Sequence, residues 1–237
     1  MIAPALAVLI AAGLVALVAA PSLLVIRTAP ADANWGLTIL LTVAFVGGYG
    51  LMAMLWHRHA LATPQARPFS LRLFVGYMWR VVLLGVIQLG FSIAIVIPLL
   101  LSALIGQNGG PAPHALSELI ATFLTHLLLI WVSLRLSVIL PAAALGAPLA
   151  ISESWAKTSA ISRPLWGVAV IFAAVNTALT VVIALINART PLTALLVELP
   201  IYIVQGMLIF GVLTTLYAHL MQNSVTGRIP GLGRIPT

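Results

Sequence analysis

Long apolar runs separated by short polar segments form the main pattern of this sequence. About 20 helical residues, at about 1.5 Å each, cross the roughly 30 Å hydrocarbon core of a bilayer. By that measure the pattern predicts six membrane-spanning helices, over residues 2–26, 35–56, 81–105, 116–141, 165–186 and 192–221. We therefore expect an all-α polytopic bundle forming one domain over residues 1–226, followed by an irregular tail over residues 227–237.

The first apolar run resembles a signal peptide only in part. Residues 1–12 contain no Lys or Arg, and the run to Ile26 is longer than the apolar core of a typical signal sequence. This favours a retained first span.

Polar segments between the runs predict how the helices are joined. Arg72 and Arg80 precede span three and predict a basic entry helix. Residues 106–111 combine glycine, proline and polar side chains, which predicts a reversal of the chain. Between spans four and five, residues 152–158 predict a short amphipathic helix at the interface, with Trp155 at the level of the headgroups.

The composition supports a membrane protein. Hydrophobic residues make up 62% of the chain and charged residues only 6%, whereas soluble domains have about 25% charged residues. The net charge is +7, yet the basic residues form no dense patch, which argues against nucleic acid as a partner.

The positions of the basic residues predict the orientation. Cytoplasmic loops carry an excess of Lys and Arg, and the predicted spans put nine of the eleven basic residues on one side. Only Arg27 and Arg189 fall on the other side. The nine are Arg58, Arg67, Arg72, Arg80, Arg135, Lys157, Arg163, Arg228 and Arg234. Both termini are therefore expected in the cytoplasm.

Six of these basic residues are expected to form a collar for anionic lipid headgroups on the cytoplasmic side. They are Arg58, Arg67, Arg72, Arg80, Lys157 and Arg163.

The sequence offers little for catalysis. It contains no cysteine, which excludes disulfides and thiolate metal sites, and its only acids are Asp32, Glu118, Glu153 and Glu198. No phosphate-binding glycine loop, Ser/His/Asp arrangement or HExxH motif occurs. We therefore expect a protein that is not an enzyme, with no catalytic residue, no cofactor and no metal site.

Polar residues within the spans are the candidates for a site in the membrane. Glu198 precedes Pro200 in span six, and Gln205 lies seven positions after Glu198, nearly on the same helical face. Because proline frees a backbone carbonyl, these residues mark a possible polar site inside the bundle. The alternative is a structural kink with Glu198 near the outer interface.

Glu118 and His126 in span four lie about 80° apart on a helix and can face one side of the bundle. They suit a proton relay or a polar substrate path. The alternative places Glu118 among the outer headgroups, where an acid suits the first turn of a helix, with His126 packed as a neutral side chain.

Three further polar residues occur in the spans. Arg135 is expected to extend its guanidinium to the interface, with pairing to a buried acid as the alternative. Gln88 and Asn176 lie in mid-span and are expected to hydrogen-bond across helices.

The segment over residues 134–167 resembles a known family. It contains an Arg-Leu-Ser segment leading to a proline, a short Ser-Trp helix with a following threonine, and an aromatic residue that opens the next span. The matching residues are Arg135, Ser137, Pro141, Ser154, Trp155, Thr158 and Trp166. This pattern is similar to the membrane domain associated with some glycerophosphodiester phosphodiesterases and to the YciC-like bacterial proteins. The resemblance implies a stand-alone, six-span protein of the bacterial inner membrane.

Two functions remain open from the sequence. The first is a non-enzymatic scaffold, assembly factor or accessory subunit of an inner-membrane complex, with membrane lipids and other subunits or its own copies as partners. The second is a small transporter or permease subunit with a polar site around Glu198, Gln205, Glu118 and His126. A membrane-embedded lipid enzyme is disfavoured because the acids are scattered.

Overall fold

The computed structural model describes residues 34–61, 67–106, 115–187 and 191–225, together with isolated positions between residues 10 and 25. Within these ranges the chain forms helices joined by short turns, without a strand. In order, the helices are α1 (Trp35–Leu61), α2 (Leu71–Gly106), α3 (Ala115–Leu136), α4 (Ile139–Ala144), α5 (Ile151–Ser159), α6 (Ser162–Asn187) and α7 (Pro191–Val225). Apart from those isolated positions, the predicted first span lies outside the described residues, as do the reversal after Gly106 and the tail over residues 227–237.

Five helical segments of the described chain are long and apolar enough to cross a membrane: α1, α2, α3 continued by α4, α6 and α7. The prediction of an all-helical chain with several long apolar helices is confirmed. The separate entry helix is wrong, because α2 continues without a break from Leu71 to Gly106. Its first two turns carry polar and apolar residues alike, and nothing in them stops a helix.

Local hydrogen bonds explain where three helices begin. Asn34 accepts a hydrogen bond from Leu37 N–H at 3.0 Å, which caps α1. Ser70 accepts one from Leu73 N–H at 3.2 Å and caps α2 in the same way. At α5, the Glu153 carboxylate accepts the N–H of Ala150 at 3.2 Å, which is one half of a capping box. The amphipathic segment between spans four and five is therefore a helix, as predicted.

The break between α3 and α4 follows from Pro141. A proline has no N–H to continue the helical ladder, and the Ser137 carbonyl instead accepts the N–H of Leu140 at 2.9 Å. The chain then resumes as α4, in which all six residues are buried. Span four thus ends three residues later than predicted, at Ala144.

The C-terminus of α4 is closed by backbone and side-chain donors. Gly146 has φ +81°, and hydrogen bonds from Ala147 N–H to Ala142 O and from Gly146 N–H to Ala143 O, each 3.0 Å, form a Schellman motif. Arg58 donates to the Ala144 carbonyl at 2.7 Å. A cation at this position also suits the helix dipole.

Arg58 and Arg67 connect this end of α4 to α1 and α2. Arg58 also donates to the Arg67 carbonyl at 2.6 Å, and Arg67 N–H donates to the Leu145 carbonyl at 3.2 Å. Tyr217, near the end of α7, packs against Ala142 of α4. The ends of α1, α4 and α7 and the beginning of α2 therefore meet at one end of the bundle.

This end carries the basic residues of the described chain. Arg135, near the end of α3, bonds to α5, and Arg163 lies at the start of α6 directly after it. Of the two basic residues on α2, Arg80 lies farther from this end of the bundle, about 14 Å along the helix from Leu71 at about 1.5 Å per residue. Glu118 and Glu198 lie towards the opposite end, near the beginnings of α3 and α7.

Candidate functional site

A cavity of about 550 Å³ with mostly apolar walls and several polar side chains lies between α1, α2, α3, α6 and α7, and its lining residue Tyr202 is exposed. Asn176 lies about 20 Å along α6 from Arg163, which places the cavity near the middle of the long helices. Its polar lining residues are Tyr49, Gln88, Ser92, Ser133, Ser137, Asn176, Tyr202 and Gln205, and its apolar ones include Phe45, Phe172, Ile209 and Leu213.

Internal hydrogen bonds use part of the polar capacity of this cavity. Gln88 donates to the Ser133 hydroxyl at 2.6 Å, and Ser133 donates to the Leu129 carbonyl at 2.5 Å. The side-chain nitrogen of Asn176 donates to the Phe172 carbonyl at 2.8 Å. These bonds leave the side-chain carbonyls of Gln88 and Asn176 as acceptors at the cavity wall.

Gln88 behaves as predicted and Asn176 does not. Gln88 on α2 bonds to Ser133 on α3, which is the expected hydrogen bond across helices. Asn176 bonds to Phe172 one turn earlier on its own helix. The Asn176 carboxamide therefore contributes its oxygen to the cavity instead of joining two helices.

Among the described residues, the lining contains no Asp, Glu, Lys, Arg or His. Amide and hydroxyl groups offer donors and acceptors without net charge. Apolar walls with a few convergent polar groups are typical of small-molecule sites, and the volume lies within the range of about 300–1,000 Å³ that such sites have. The chemistry of this cavity suits a neutral ligand with hydrogen-bonding groups.

A close approach of α1 and α7 forms one wall. The Tyr49 hydroxyl donates to the Ile203 carbonyl at 3.3 Å. It lies directly over Gly206, where a Cβ atom would overlap the hydroxyl oxygen. Tyr49 also packs against Phe210 with a centroid distance of 5.2 Å. Glycine at position 206 is thus what lets the tyrosine cross to α7.

The predicted polar residues do not all meet at this cavity. Gln205 lines it, whereas Glu198, Glu118 and His126 do not. Glu118 is exposed and Glu198 is half-buried. His126 is half-buried on α3, with Nδ1 3.2 Å from the Thr177 hydroxyl of α6.

Arg135 is covered by protein and is not paired with an acid among the described residues. It is only 6% exposed. Its guanidinium donates to the Trp155 carbonyl at 2.7 Å and to the Thr158 hydroxyl at 3.3 Å. The guanidinium carbon lies 3.6 Å from the Trp155 ring centroid and 5.3 Å from that of Trp131. Because α5 folds back over the guanidinium, the side chain is covered by protein, and its level relative to the membrane interface stays a prediction.

The segment that carries the family resemblance forms one contact cluster. Ser154 donates to the Arg135 carbonyl at 2.7 Å, which fixes α5 against the end of α3. Trp131 stacks on Trp166 at 4.8 Å and meets Trp155 edge-on at 5.6 Å. These side chains join α3, α5 and α6 near the basic end of the bundle.

The six residues of the predicted lipid collar differ in their surroundings. Arg58 is half-buried and its guanidinium is engaged with α4, as described above. Arg80 is half-buried and donates to the Gly76 carbonyl of its own helix at 2.7 Å. Lys157 is half-buried, and Arg67, Arg72 and Arg163 are exposed. Lipid contact at the collar stays a prediction.

His57 is buried, although the sequence places it in a polar cluster directly after the predicted span two. It is 0% exposed, with Nδ1 2.7 Å from the Thr214 hydroxyl. Because that hydroxyl donates to the Phe210 carbonyl at 2.6 Å, the His57 ring must donate from Nδ1. His57 therefore joins α1 to α7 one layer below the cavity wall formed by Tyr49.

Tyr49 and most of the serines that line the cavity were not identified from the sequence. A single serine or tyrosine in an apolar run has no distinctive spacing. Only the packing of five helices brings these residues together.

No family model matches this chain, and no curated protein or solved structure is significantly similar to it. The cavity and its chemistry therefore carry the functional proposal.

Proposed function

We propose that this chain is a non-enzymatic, multi-pass membrane protein that binds a neutral, hydrogen-bonding small molecule inside its bundle, as the binding part of a small transporter or permease. One observation carries the proposal. A cavity of about 550 Å³, with mostly apolar walls that carry several amide and hydroxyl groups, lies among helices that are long and apolar enough to cross a membrane.

The cost of unpaired polar groups in hydrocarbon supports a bound polar partner. Each buried amide or hydroxyl without a hydrogen bond costs about 1–3 kcal/mol by mutational data. Gln88, Asn176 and Gln205 offer acceptors or donors at one cavity. A ligand or water molecules that occupy the cavity offset this cost.

The same uncharged walls select against ions. A charge moved from water into a low-dielectric site costs several kcal/mol unless an opposite charge meets it. The lining offers no such partner. The proposed ligand is therefore uncharged, and coupling to proton movement through Glu118 and His126 is not part of the proposal.

Location and topology form a second part of the proposal: six spans in a bacterial inner membrane, both termini in the cytoplasm, and anionic lipid headgroups around the basic end. The common end shared by the described Lys and Arg residues supports the orientation. The contacts of Arg135, Ser154 and Trp155 hold α5 against α3, and membership of the YciC-like family is part of the proposal.

A matched pair of variants tests ligand binding. Ser92 lines the cavity, so S92L fills part of it without removing an interhelical hydrogen bond. Gly90, two residues earlier on α2, is exposed and has open space around its Cβ position, so G90L adds the same side chain outside the cavity. Native mass spectrometry of the chain released from nanodiscs of native lipid measures which neutral molecules remain bound.

We expect the wild type and G90L to retain the same neutral molecule and S92L to lose it. The melting temperature of each variant shows whether the fold is intact. Equal retention by S92L and G90L, or retention of charged molecules alone, would contradict the proposal.

The second candidate is a scaffold, assembly factor or accessory subunit. The outer face of α2 favours it. Apolar side chains at helical spacing are exposed along this helix, among them Val75, Trp79, Val82, Val86 and Leu89. Recovery of a stoichiometric set of other membrane proteins with the tagged chain in mild detergent would support this candidate, and recovery of the chain alone would count against it.

A further inference from the structure

A second cavity adjoins the first one on the outer side of the bundle. It is a groove of about 420 Å³ between α6 and α7, with apolar walls that include Val175, Leu179, Pro200 and Val204. Val175 and Val204 are 48% and 58% exposed. The groove therefore opens away from the bundle, towards the space that lipid occupies around a membrane protein.

Two residues line both the groove and the polar cavity. Phe172 on α6 and Gln205 on α7 belong to each of them. Gln205 is half-buried, and it belongs both to the cavity that carries amide and hydroxyl groups and to the apolar groove. The two spaces are thus neighbours separated by one pair of side chains.

Pro200 lies in this groove within α7. A proline inside a helix removes one backbone hydrogen bond and bends the helix away from its neighbour. This provides a local reason for a gap between α6 and α7 at this level.

We propose that the ligand is an uncharged lipid, with a hydroxyl-bearing or carbonyl-bearing head in the polar cavity and its hydrocarbon chain in the groove, and that it enters from the bilayer between Phe172 and Gln205. The inference rests on the proposed function and names its substrate class.

The energetics of transfer favour such a ligand over a soluble one. The chain of a lipid remains in apolar surroundings when it moves from bilayer to groove, so only the head changes its environment. The head leaves the interface, and the free carbonyls of Gln88 and Asn176 and the amide of Gln205 replace its hydrogen bonds. A charged headgroup would meet no opposite charge in the cavity and would not be accommodated.

The test is equilibrium binding of tritiated 1-oleoylglycerol to the full chain in phosphatidylcholine nanodiscs. V175W places an indole in the groove, and V170W places one on the same helix at a position that is 44% exposed and lines neither space. Two unlabelled compounds serve as competitors. Glycerol carries the head alone, and oleate at pH 9 carries the same hydrocarbon chain on a charged head.

We expect saturable binding that V175W weakens at least about tenfold, a loss of about 1.4 kcal/mol, while V170W leaves it unchanged. Glycerol and oleate should compete at least about tenfold less well than 1-oleoylglycerol. Equal binding by V175W and V170W, or the absence of saturable binding, would overturn the lipid inference.

These outcomes separate the inference from the proposed function. If S92L loses its bound neutral molecule but 1-oleoylglycerol does not bind, or glycerol competes as well as the whole lipid, the cavity is a ligand site without a lipid entrance. If S92L and G90L retain the same molecules, the proposed function itself fails.

Discussion

Arg135 illustrates at the scale of a residue what a helical pattern cannot predict. Its position on α3 predicts a direction for the side chain but not that α5 lies over it. The charge is stabilised by the Trp155 ring at 3.6 Å and by the Trp155 carbonyl at 2.7 Å. A planar guanidinium can do both at once, and an ammonium group cannot.

Replacing Arg135 by Lys should therefore lower the free energy of unfolding by about 2 kcal/mol, through loss of the stacked geometry and one hydrogen bond. Unfolding in mixed micelles with an increasing fraction of SDS measures this free energy. Arg163 is exposed, so R163K is the matched control and should remain within about 0.5 kcal/mol of wild type. Equal effects of the two substitutions would refute the special environment of Arg135.

At the scale of helices, the sequence predicted that the long helices exist better than it predicted the residues at which they begin and end. Apolar runs of sufficient length became α1, α2, α3, α6 and α7 because length and hydropathy are local properties. The break at Pro141 and the fully buried α4 depend on donors from elsewhere, since Arg58 and Arg67 close its C-terminus. Such long-range partners leave no periodic signal in the sequence.

The approach of α1 to α7 at Gly206 gives a prediction for helix packing. G206A should lower the free energy of unfolding by about 1–3 kcal/mol, because a Cβ atom there overlaps the Tyr49 hydroxyl. G211A, on the same helix with open space at its Cβ position, should cause no loss. Combining G206A with Y49F should recover part of the loss, since the hydroxyl is the nearest atom. Indistinguishable stabilities of G206A and G211A would exclude this close contact.

The whole molecule combines a basic end with an uncharged cavity about halfway along the helices. The bias of Lys and Arg towards one end was readable from the sequence because it depends only on the alternation of spans and loops. The cavity could not be predicted from the sequence, although Gln205 was named as a candidate, because its walls come from five helices. Glu198 and Glu118 stood out in the sequence as charged residues, yet the polar groups among the mostly apolar walls of the cavity are amides and hydroxyls.

The absence of cysteine from the sequence makes the orientation directly testable. R163C and E118C place single thiols at exposed positions near opposite ends of the bundle. A membrane-impermeant maleimide should label E118C in spheroplasts and R163C only in inverted vesicles. The reverse pattern would contradict the predicted orientation, and labelling of both from one side would contradict the arrangement of the helices.

The most direct test of the central claim, that the cavity admits neutral molecules, is the rate of thiol alkylation at S92C in nanodiscs, compared with G90C on the outer face of α2. A thiol surrounded by hydrocarbon reacts slowly because apolar surroundings keep it protonated, whereas a thiol in the cavity reacts to the extent that water and the reagent can enter. We predict that neutral N-ethylmaleimide reacts faster at S92C than at G90C, and that a sulfonate-bearing thiol reagent does not. Equal rates at the two positions, or equal access for the charged reagent at S92C, would contradict the account.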